Sequence, residues 1–413
     1  MTARTIYYVL LRFPSLTETF IAEEIRAILS LGYNVRIYSL LPSRTELVHP
    51  VSAQLIDCAQ YAPGFISSAL WRAQFYYLLR GPGRYFRLIW SLLTQPAPEL
   101  SAYPKRLITF LKAVWIAKQL EKSPAQLVHT HFAWLSAAAC SVISQLLNLP
   151  FTVTTHAFDI YSQRNDLLKL TTSNARRVVT ISEYNKRAIL DRNRDLRSEA
   201  IEVIHCGIDL DKFHLQARNA APPVLQITSV GSLIEKKGHE FLIRACGELK
   251  SQGLEFNCVI VGEGMLEGSL KDLVHELNLE NEVKLVGAQS QTWVRDRLER
   301  SDIFVLACTT AKDGERDGIP VAMMEALAME VPVVSTSVSG IPELIQDNIT
   351  GLLVPEKDVN ALATAMLRLA HDMPMRQQLA KNGRRLIEAE YDISKNAARL
   401  GSLFQEVIQE QRQ

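Results

Sequence analysis

Several common signals are missing from this chain of 413 residues. Its six cysteines form no Cys-x-x-Cys pair, a spacing that fits neither a zinc site nor a disulfide framework. Buried thiols in a reducing cytoplasm are the expectation. The formal net charge is +1, so no global field favours nucleic acid as a partner. We expect no signal peptide, because only a short apolar run separates Arg4 from Arg12.

Long apolar runs are also absent. The longest nearly uncharged stretch, 132–155, is interrupted by Pro150 and predicts a buried helix and strand, not a membrane span. Glycine is missing from the turn after the first strand, where a dinucleotide-binding fingerprint would lie. The later segment Gly262-Glu-Gly264-Met-Leu-Glu-Gly268 misses the third glycine of that fingerprint by one position. The first observation disfavours an NAD-dependent enzyme, and the second is only weak evidence for one.

What the sequence has is a strand–helix alternation in two halves, which predicts the α/β class with parallel sheets. The alanine- and proline-rich segment 217–223 is the linker candidate. We therefore predict a first domain at 1–215 and a second at 216–393.

The stretch 301–343 combines a short apolar strand, a polar loop and a helix opening at Pro320, which fits the first helical position. The amides of Val321, Ala322 and Met323 would face the loop, as phosphate-binding helix starts require. Gly318 would let a ligand approach the backbone. Asp317 and Glu325 suit hydroxyl groups as acceptors. A phosphate flanked by polyols describes a nucleotide-sugar; the alternative is solvated carboxylates around an ordinary loop.

Lysines and histidines follow other predicted strands. Gly231–Gly238 is a glycine-flanked loop with Lys237, suited to diphosphate charge; a solvated turn is the alternative. His129 and His131 would share one face of a strand, and a metal site lacks a clear third ligand, so a cleft-lining or packed pair is favoured. His156 ends another strand, where open α/β sheets bind ligands; a core histidine is equally compatible.

The segment 61–122 interleaves aromatic residues with arginines and lysines. Such a segment can lie on an anionic membrane surface. Two or three helices packed on the first domain, with arginines extending to solvent, are the favoured alternative.

Taken together, these motifs resemble the retaining glycosyltransferases of family 4, which have the GT-B architecture of two Rossmann-like, doubly wound parallel-sheet domains facing across a cleft. The resemblance rests on Gly231–Gly238, Val261–Gly264, the series from Asp317 to Glu325, and Gly340–Glu343 with the Thr350 segment. The N-terminal motifs Phe13–Phe20, His129–Ala133 and Thr155–Asp159 are similar to the colanic-acid-type exopolysaccharide branch.

The resemblance implies a role for each matching position. Lys237, with Gly231 and Ser232 in its loop, would contact the donor diphosphate. Glu325 would bind the ribose, and Asp317 the transferred sugar. The set is completed by the backbone of Gly318, Ile319, Pro320 and Val321 at the distal phosphate, Gly262 and Gly287 at the base, His156 near the reacting carbon, and Asp159 orienting the acceptor. The last helix, 394–413, would cross back to the first domain.

Two positions depart from the family pattern. Ser232 stands where an arginine is usual, and Asp317 where a glutamate is usual. Ser232 removes a bidentate phosphate clamp, so Lys237 and the helix N-termini would hold more of the charge.

The implied function is transfer of a sugar from a UDP- or GDP-linked donor to a glycan or lipid-linked acceptor in exopolysaccharide biosynthesis. The implied route is same-face attack without metal or other cofactor, in the cytoplasm or peripherally at the inner face of its membrane. A nucleotide-sugar epimerase of the same fold and a catalytically silent nucleotide-sugar-binding protein are the alternatives.

Overall fold

The structure is a computed structural model that describes residues 4–15, 18–43, 49–97, 99–123, 125–162, 166–213 and 224–412. The chain divides into two compact units. One comprises the chain up to Gly207 together with the chain from Ile393 onward, and the other runs from Ile208 to Asp392. The predicted linker 217–223 and the predicted boundary at 215/216 lie outside the described residues.

The first unit is built on a seven-stranded parallel sheet with the order β3-β2-β1-β4-β5-β6-β7. Its strands are β1 (Thr5–Arg12), β2 (Asn34–Leu41), β3 (Ala59–Tyr61), β4 (Leu127–His131), β5 (Phe151–Thr155), β6 (Arg177–Thr180) and β7 (Ile201–Val203). The order reverses between β1 and β4. In open α/β sheets, ligands bind beyond the carboxyl ends of the strands at such a point.

Helices cover both faces of this sheet. They are α1 (Thr19–Ser30), α2 (Pro50–Ala53), α3 (Ser68–Arg80), α4 (Pro82–Leu93), α5 (Ala102–Leu120), α6 (Leu135–Leu147), α7 (Ala157–Tyr161), α8 (Leu168–Asn174), α9 (Glu183–Arg192) and the last helix, α17 (Ile393–Glu410). One core packs α3 to α6 on the sheet, and a second joins α1 and α17. The favoured interpretation of segment 61–122, helices packed on the first unit, therefore describes α3, α4 and α5.

The second unit has a six-stranded parallel sheet with the order β10-β9-β8-β11-β12-β13. Its strands are β8 (Leu225–Val230), β9 (Phe256–Val261), β10 (Val283–Leu285), β11 (Ile303–Leu306), β12 (Val333–Thr336) and β13 (Gly351–Val354). Its helices are α10 (His239–Ser251), α11 (Glu267–Glu276), α12 (Gln291–Glu299), α13 (Val321–Ala328), α14 (Ile341–Leu344), α15 (Val359–His371) and α16 (Met373–Glu390). Here the strand order reverses between β8 and β11.

The predicted α/β class with two Rossmann-like parallel-sheet domains is confirmed. Each strand pair is parallel because a helix crosses over between successive strands. Among the described residues, no helix combines the length and the apolar character needed to cross a bilayer.

Candidate active site

In the second unit, the loops after β8 and β11 meet at the point where the strand order reverses. Gly238 has φ +66°, and a Cβ on this residue would lie 1.7 Å from the carbonyl oxygen of Ala307. No side chain fits there, so glycine permits both the left-handed backbone and the close approach. The amide of Thr309 donates to the carbonyl of Lys236 (3.0 Å) and ties the two loops together.

Lys237 and Asp317 form an ion pair between these two loops. The Lys237 Nζ lies 2.7 Å from Asp317 Oδ2, and the two side chains are only 16% and 15% exposed. Burial disfavours the ammonium ion, but Asp317 more than offsets this and raises the pKa of Lys237. Burial likewise opposes ionisation of Asp317, whose pKa Lys237 and Lys236 nevertheless lower. Both groups are therefore charged at neutral pH.

The glycines predicted to contact the donor line the same sheet edge. A Cβ on Gly231 would lie 3.2 Å from the Lys237 Cδ, so the lysine stem packs against this glycine. Gly262 has φ +144°, and a Cβ there would approach the Gly231 carbonyl oxygen to 2.0 Å. Its amide donates to the carbonyl of Gly287 (2.9 Å). Ser232 is exposed beside Gly231.

The start of α13 differs from the prediction in two respects. Pro320 has an extended ψ of 128° and caps the helix, which begins at Val321; Pro320 is not its first helical residue. The amide of Met323 donates to the Pro320 carbonyl (3.1 Å) and so does not face the loop. Gly318 and Ile319 are buried.

Glu325 lies on the second turn of α13. Burial raises the pKa of its carboxyl group to about 7, although a hydrogen bond with Gln291 of α12 works in the opposite direction. The group therefore titrates near neutral pH. A desolvated carboxylate is a strong acceptor for hydroxyl groups.

Glu356, which follows β13, was not singled out from the sequence. Its Oε2 accepts from the hydroxyl of Thr309 (2.9 Å) and from the amide of Thr310 (2.6 Å). It thus anchors the β11 loop that carries Asp317. The sequence offers no signal for this contact, because 46 residues separate Thr310 and Glu356.

In the first unit, three histidines gather at the ends of β4 and β5. His129, His131 and His156 are 0%, 1% and 7% exposed. His129 Nδ1 lies 2.7 Å from the Thr152 hydroxyl, and His131 Nδ1 lies 3.1 Å from His156 Nε2. Burial lowers the pKa of His129 to about 3 and that of His156 well below its usual range. Both side chains are therefore neutral at physiological pH.

Glu24 of α1 completes this group and was missed in the sequence. Its Oε1 lies 3.1 Å from His131 Nε2 and accepts from the Tyr8 hydroxyl (2.9 Å). Burial would raise the pKa of Glu24, but His131 lowers it to about 2. The available signal was a carboxylate beside the buried face of α1 that Ile21, Ile25 and Ile28 form.

Glu24, His129 and His131 each offer a ligand atom, and these atoms lie within 4.8 Å of one another. Glu24 thus supplies the third ligand that the sequence argument lacked. Glu24 also lines a cavity of about 20 Å³, together with Phe20 and Cys206, which has room for about one water molecule.

Asp159 lies at the third position of α7 and is fully buried. Its Oδ2 accepts from the amide of Ala133 and its Oδ1 from that of His156, both at 2.7 Å. Burial raises the pKa of Asp159 to about 7, although these backbone bonds act in the opposite direction. The carboxyl group thus joins the loops after β4 and β5; its predicted contact with an acceptor stays a prediction.

Comparison with known sequences covers both units. Residues 17–212 match the family described as Glycosyltransferase Family 4, and residues 212–386 match Glycosyl transferases group 1. The amylovoran biosynthesis glycosyltransferase AmsK of Erwinia amylovora is 33% identical over 380 residues, which cover 87% of this chain and 89% of AmsK. WcaL of Escherichia coli K12, named for colanic acid biosynthesis, is 30% identical over 96% of this chain and 98% of its own length.

Solved structures of similar fold span almost the whole chain. A glycosyltransferase from Rickettsia africae superposes with a TM-score of 0.74 at 19% identity, covering 99% of each chain. Anabaena HepE, crystallised with UDP and glucose, has a TM-score of 0.71 at 14% identity and covers 98% of this chain and 99% of its own. The chain therefore belongs to the family 4 glycosyltransferases of GT-B fold and is related to the amylovoran and colanic acid glycosyltransferases of exopolysaccharide biosynthesis.

Proposed function

We propose that this enzyme transfers a hexose from a UDP- or GDP-linked donor to a glycan or lipid-linked acceptor, with retention of configuration and without a metal ion. The observation that carries the proposal is the arrangement at the carboxyl ends of β8 and β11. There a charged lysine, two carboxyl groups and the start of α13 lie on adjoining loops and a helix. Groups that bind phosphate and groups that accept hydrogen bonds from sugar hydroxyls thus lie on neighbouring elements.

In this proposal, Lys237 binds the donor diphosphate. In the free protein its ammonium group pairs with Asp317 at 2.7 Å. The diphosphate would take the place of Asp317 as the anionic partner of Lys237. Asp317 is then available to accept from hydroxyl groups of the transferred sugar. Glu325 accepts from the ribose hydroxyls, and the backbone around Gly262 and Gly287 meets the base.

The proposed chemical step is same-face attack through an oxocarbenium-like state. Negative charge builds on the leaving diphosphate, which Lys237 and the N-terminus of α13 stabilise. The leaving phosphate oxygen takes the proton of the acceptor hydroxyl while the new glycosidic bond forms. This route needs no nucleophilic carboxylate. We assign His156 to the donor-sugar side of the reaction and Asp159 to the arrangement of its loop.

The names of relatives support the donor classes. HepE was crystallised with UDP-glucose, and a Mycobacterium tuberculosis relative, 25% identical over 50% of this chain and 56% of its own length, is named a GDP-mannose-dependent mannosyltransferase.

Donor turnover followed by proton NMR tests the proposal. UDP- and GDP-hexoses are incubated with the enzyme, a chelator and simple glycoside or lipid-linked acceptors, and the anomeric signals are recorded at early times. We expect one donor to be consumed and an α-linked donor to give an α-linked product. An inverted product, epimerisation without acceptor, or turnover that requires added magnesium would each contradict part of the proposal.

We also propose that α3 and α4 place the enzyme on the inner face of the cytoplasmic membrane. Between Asp57 and Glu99 the sequence has four arginines and no acidic residue. Large apolar side chains project outward from both helices; Trp71, Phe75, Leu79, Phe86 and Trp90 are 43%, 61%, 83%, 59% and 69% exposed. Exposed aromatic side chains beside cationic ones suit an anionic bilayer surface.

Vesicle sedimentation checks this contact. The protein is expected to sediment with vesicles containing phosphatidylglycerol, less so at high salt. Each arginine near the surface contributes about 1 kcal/mol, so changing Arg84 and Arg87 to glutamine should weaken binding about thirtyfold. Trp71→Ser with Trp90→Ser should also weaken it, whereas Trp293→Ser, at a residue 37% exposed on α12, should not. Equal binding to neutral phosphatidylcholine vesicles would contradict the proposed surface.

A further inference from the structure

The three side chains Glu24, His131 and His156 form a continuous hydrogen-bonded chain in the first unit. Glu24 Oε1 lies 3.1 Å from His131 Nε2, and His131 Nδ1 lies 3.1 Å from His156 Nε2. The two imidazole rings are inclined by only 18°, with centroids 5.4 Å apart. Because the nitrogens are much closer than the centroids, the rings meet edge to edge, as an N–H···N bond requires.

The direction of every bond in the chain follows from its ends. At one end, the His156 side chain accepts from the backbone amide of Asp159. Since Nε2 faces His131, the accepting atom is the other ring nitrogen, and a neutral imidazole then carries its proton on Nε2. His156 Nε2–H therefore donates to His131 Nδ1.

The opposite end of the chain places the other proton. Glu24 accepts from His131 Nε2 (3.1 Å), so His131 carries a proton on Nε2, while its Nδ1 is the acceptor of the bond from His156. Tyr8 donates to the same Glu24 Oε1 (2.9 Å) and fixes the carboxylate in place. The two ends together define the tautomer of His131.

Two phenylalanine rings also hold the ring of His156 in place. Its centroid lies 4.9 Å from that of Phe20 and 4.7 Å from that of Phe132, and both its nitrogens are engaged. A histidine held in this way has one orientation and one tautomer before any substrate binds.

We propose that Glu24 and His131 are positioning residues that fix His156 in the neutral Nε2–H tautomer and in a single orientation. The consequence for catalysis rests on the proposed function, in which His156 serves the donor-sugar side of the reaction. A sugar hydroxyl would then replace either His131 or the Asp159 amide as a hydrogen-bonding partner of His156. Glu24, acting through His131, determines which nitrogen of His156 carries the proton. A metal ion held by Glu24, His129 and His131 is the competing use of the same atoms.

The ring nitrogens that a metal ion would use take part in hydrogen bonds in this structure. His131 Nε2 is already bonded to Glu24, and His129 Nε2 lies 3.2 Å from the Thr154 hydroxyl. Each nitrogen that would ligate an ion therefore has a hydrogen-bonding partner within the protein.

Nitrogen-15 NMR of the full-length protein labelled on histidine tests the tautomers directly. Long-range proton–nitrogen spectra distinguish the protonated from the unprotonated ring nitrogen, and His131→Gln and His156→Gln assign the signals. We expect both residues to be neutral and protonated on Nε2 at pH 7. A Nδ1–H tautomer or a doubly protonated ring at either residue would contradict the inferred hydrogen bonds. So would a stoichiometric bound metal whose removal shifts these signals.

Glu24→Leu tests the positioning role, with Glu23→Gln as the matched control, since Glu23 is the adjacent carboxylate and pairs with Arg26 at 3.1 Å. The leucine variant should give mixed tautomers at His131, and kcat should fall about tenfold to a hundredfold with little change in donor KM. Unchanged tautomers and unchanged kcat would overturn the inference. The tautomers are measured in the free protein. A wrong assignment of the hydrogen bonds between Glu24, His131 and His156 can therefore be distinguished from a wrong assignment of the reaction.

Discussion

Lys237→Met is expected to lower kcat/KM for the donor by about 10²–10³-fold, the usual effect of removing one group that stabilises developing charge. Methionine keeps the aliphatic stem, which packs against Gly231, and removes only the ammonium group. Initial rates with saturating acceptor measure the effect. The loss should appear largely in kcat if Lys237 acts on the leaving diphosphate and not on donor binding alone.

The same substitution should destabilise the second unit, because it leaves the Asp317 carboxylate without the closest of its cationic partners. Breaking a buried pair in this way costs about 3–5 kcal/mol, and partial solvent exposure of both side chains reduces this to about 1–3 kcal/mol. Lys237→Met with Asp317→Asn should recover most of the stability in urea unfolding but none of the activity. Lys236→Met, whose nearest carboxylate oxygen lies 3.6 Å away on Glu315, should have a smaller effect on both. A Lys237 variant with unchanged rate would contradict the assignment.

Glu325→Gln should stabilise the free protein at pH 8 but not at pH 5. The folded-state pKa of Glu325 is raised to about 7 by burial, so the fold favours the neutral form. The stability that this neutral form contributes is present below the unfolded pKa and is lost as pH rises through about 7. Glutamine is neutral throughout and should gain about 2 kcal/mol over the wild type at pH 8.

Thermal unfolding between pH 5 and 8 measures this difference, and Glu276→Gln, at an exposed carboxylate on α11, is the control for net charge. A constant difference in Tm across that range would mean that burial does not raise the pKa of Glu325.

Glu325→Gln should have opposite effects on stability and on binding: it should stabilise the free protein at pH 8 but weaken its binding of nucleotide. An ionised carboxylate that accepts from ribose hydroxyls is worth about 1.5–3 kcal/mol, so Glu325→Gln should weaken nucleoside diphosphate binding by roughly tenfold or more at pH 8. The wild-type affinity should fall towards that of the variant as the pH drops below about 7. Titration of the nucleotide itself is common to both proteins and cancels in the comparison.

The sequence predicts the parallel-sheet architecture because strand and helix periodicity are local properties. The last helix, predicted to begin at residue 394, begins one residue earlier, at Ile393. The predicted start of α13 at Pro320 was wrong by one residue, since the extended ψ of that proline makes it the cap.

Contacts between distant segments were not predictable from one sequence. Glu24 meets His131 across 107 residues, and no local pattern marks that pairing. The solvent exposure of individual side chains could not be predicted either. Leu88 and Trp90 lie two positions apart on α4, yet they are 2% and 69% exposed. Which apolar residues of a helix face solvent depends on the packing of its neighbours.

Thermal unfolding with UDP, GDP, ADP, dTDP and NAD, each with magnesium and with chelator, tests the central claim most directly. A ligand present at about one hundred times its Kd adds about 2.7 kcal/mol and raises Tm by a few degrees. We expect either UDP or GDP to raise the Tm in the presence of chelator, and Glu325→Ala to abolish that shift. A shift with NAD alone, or no shift with any nucleotide, would contradict a nucleotide-sugar site in the second unit.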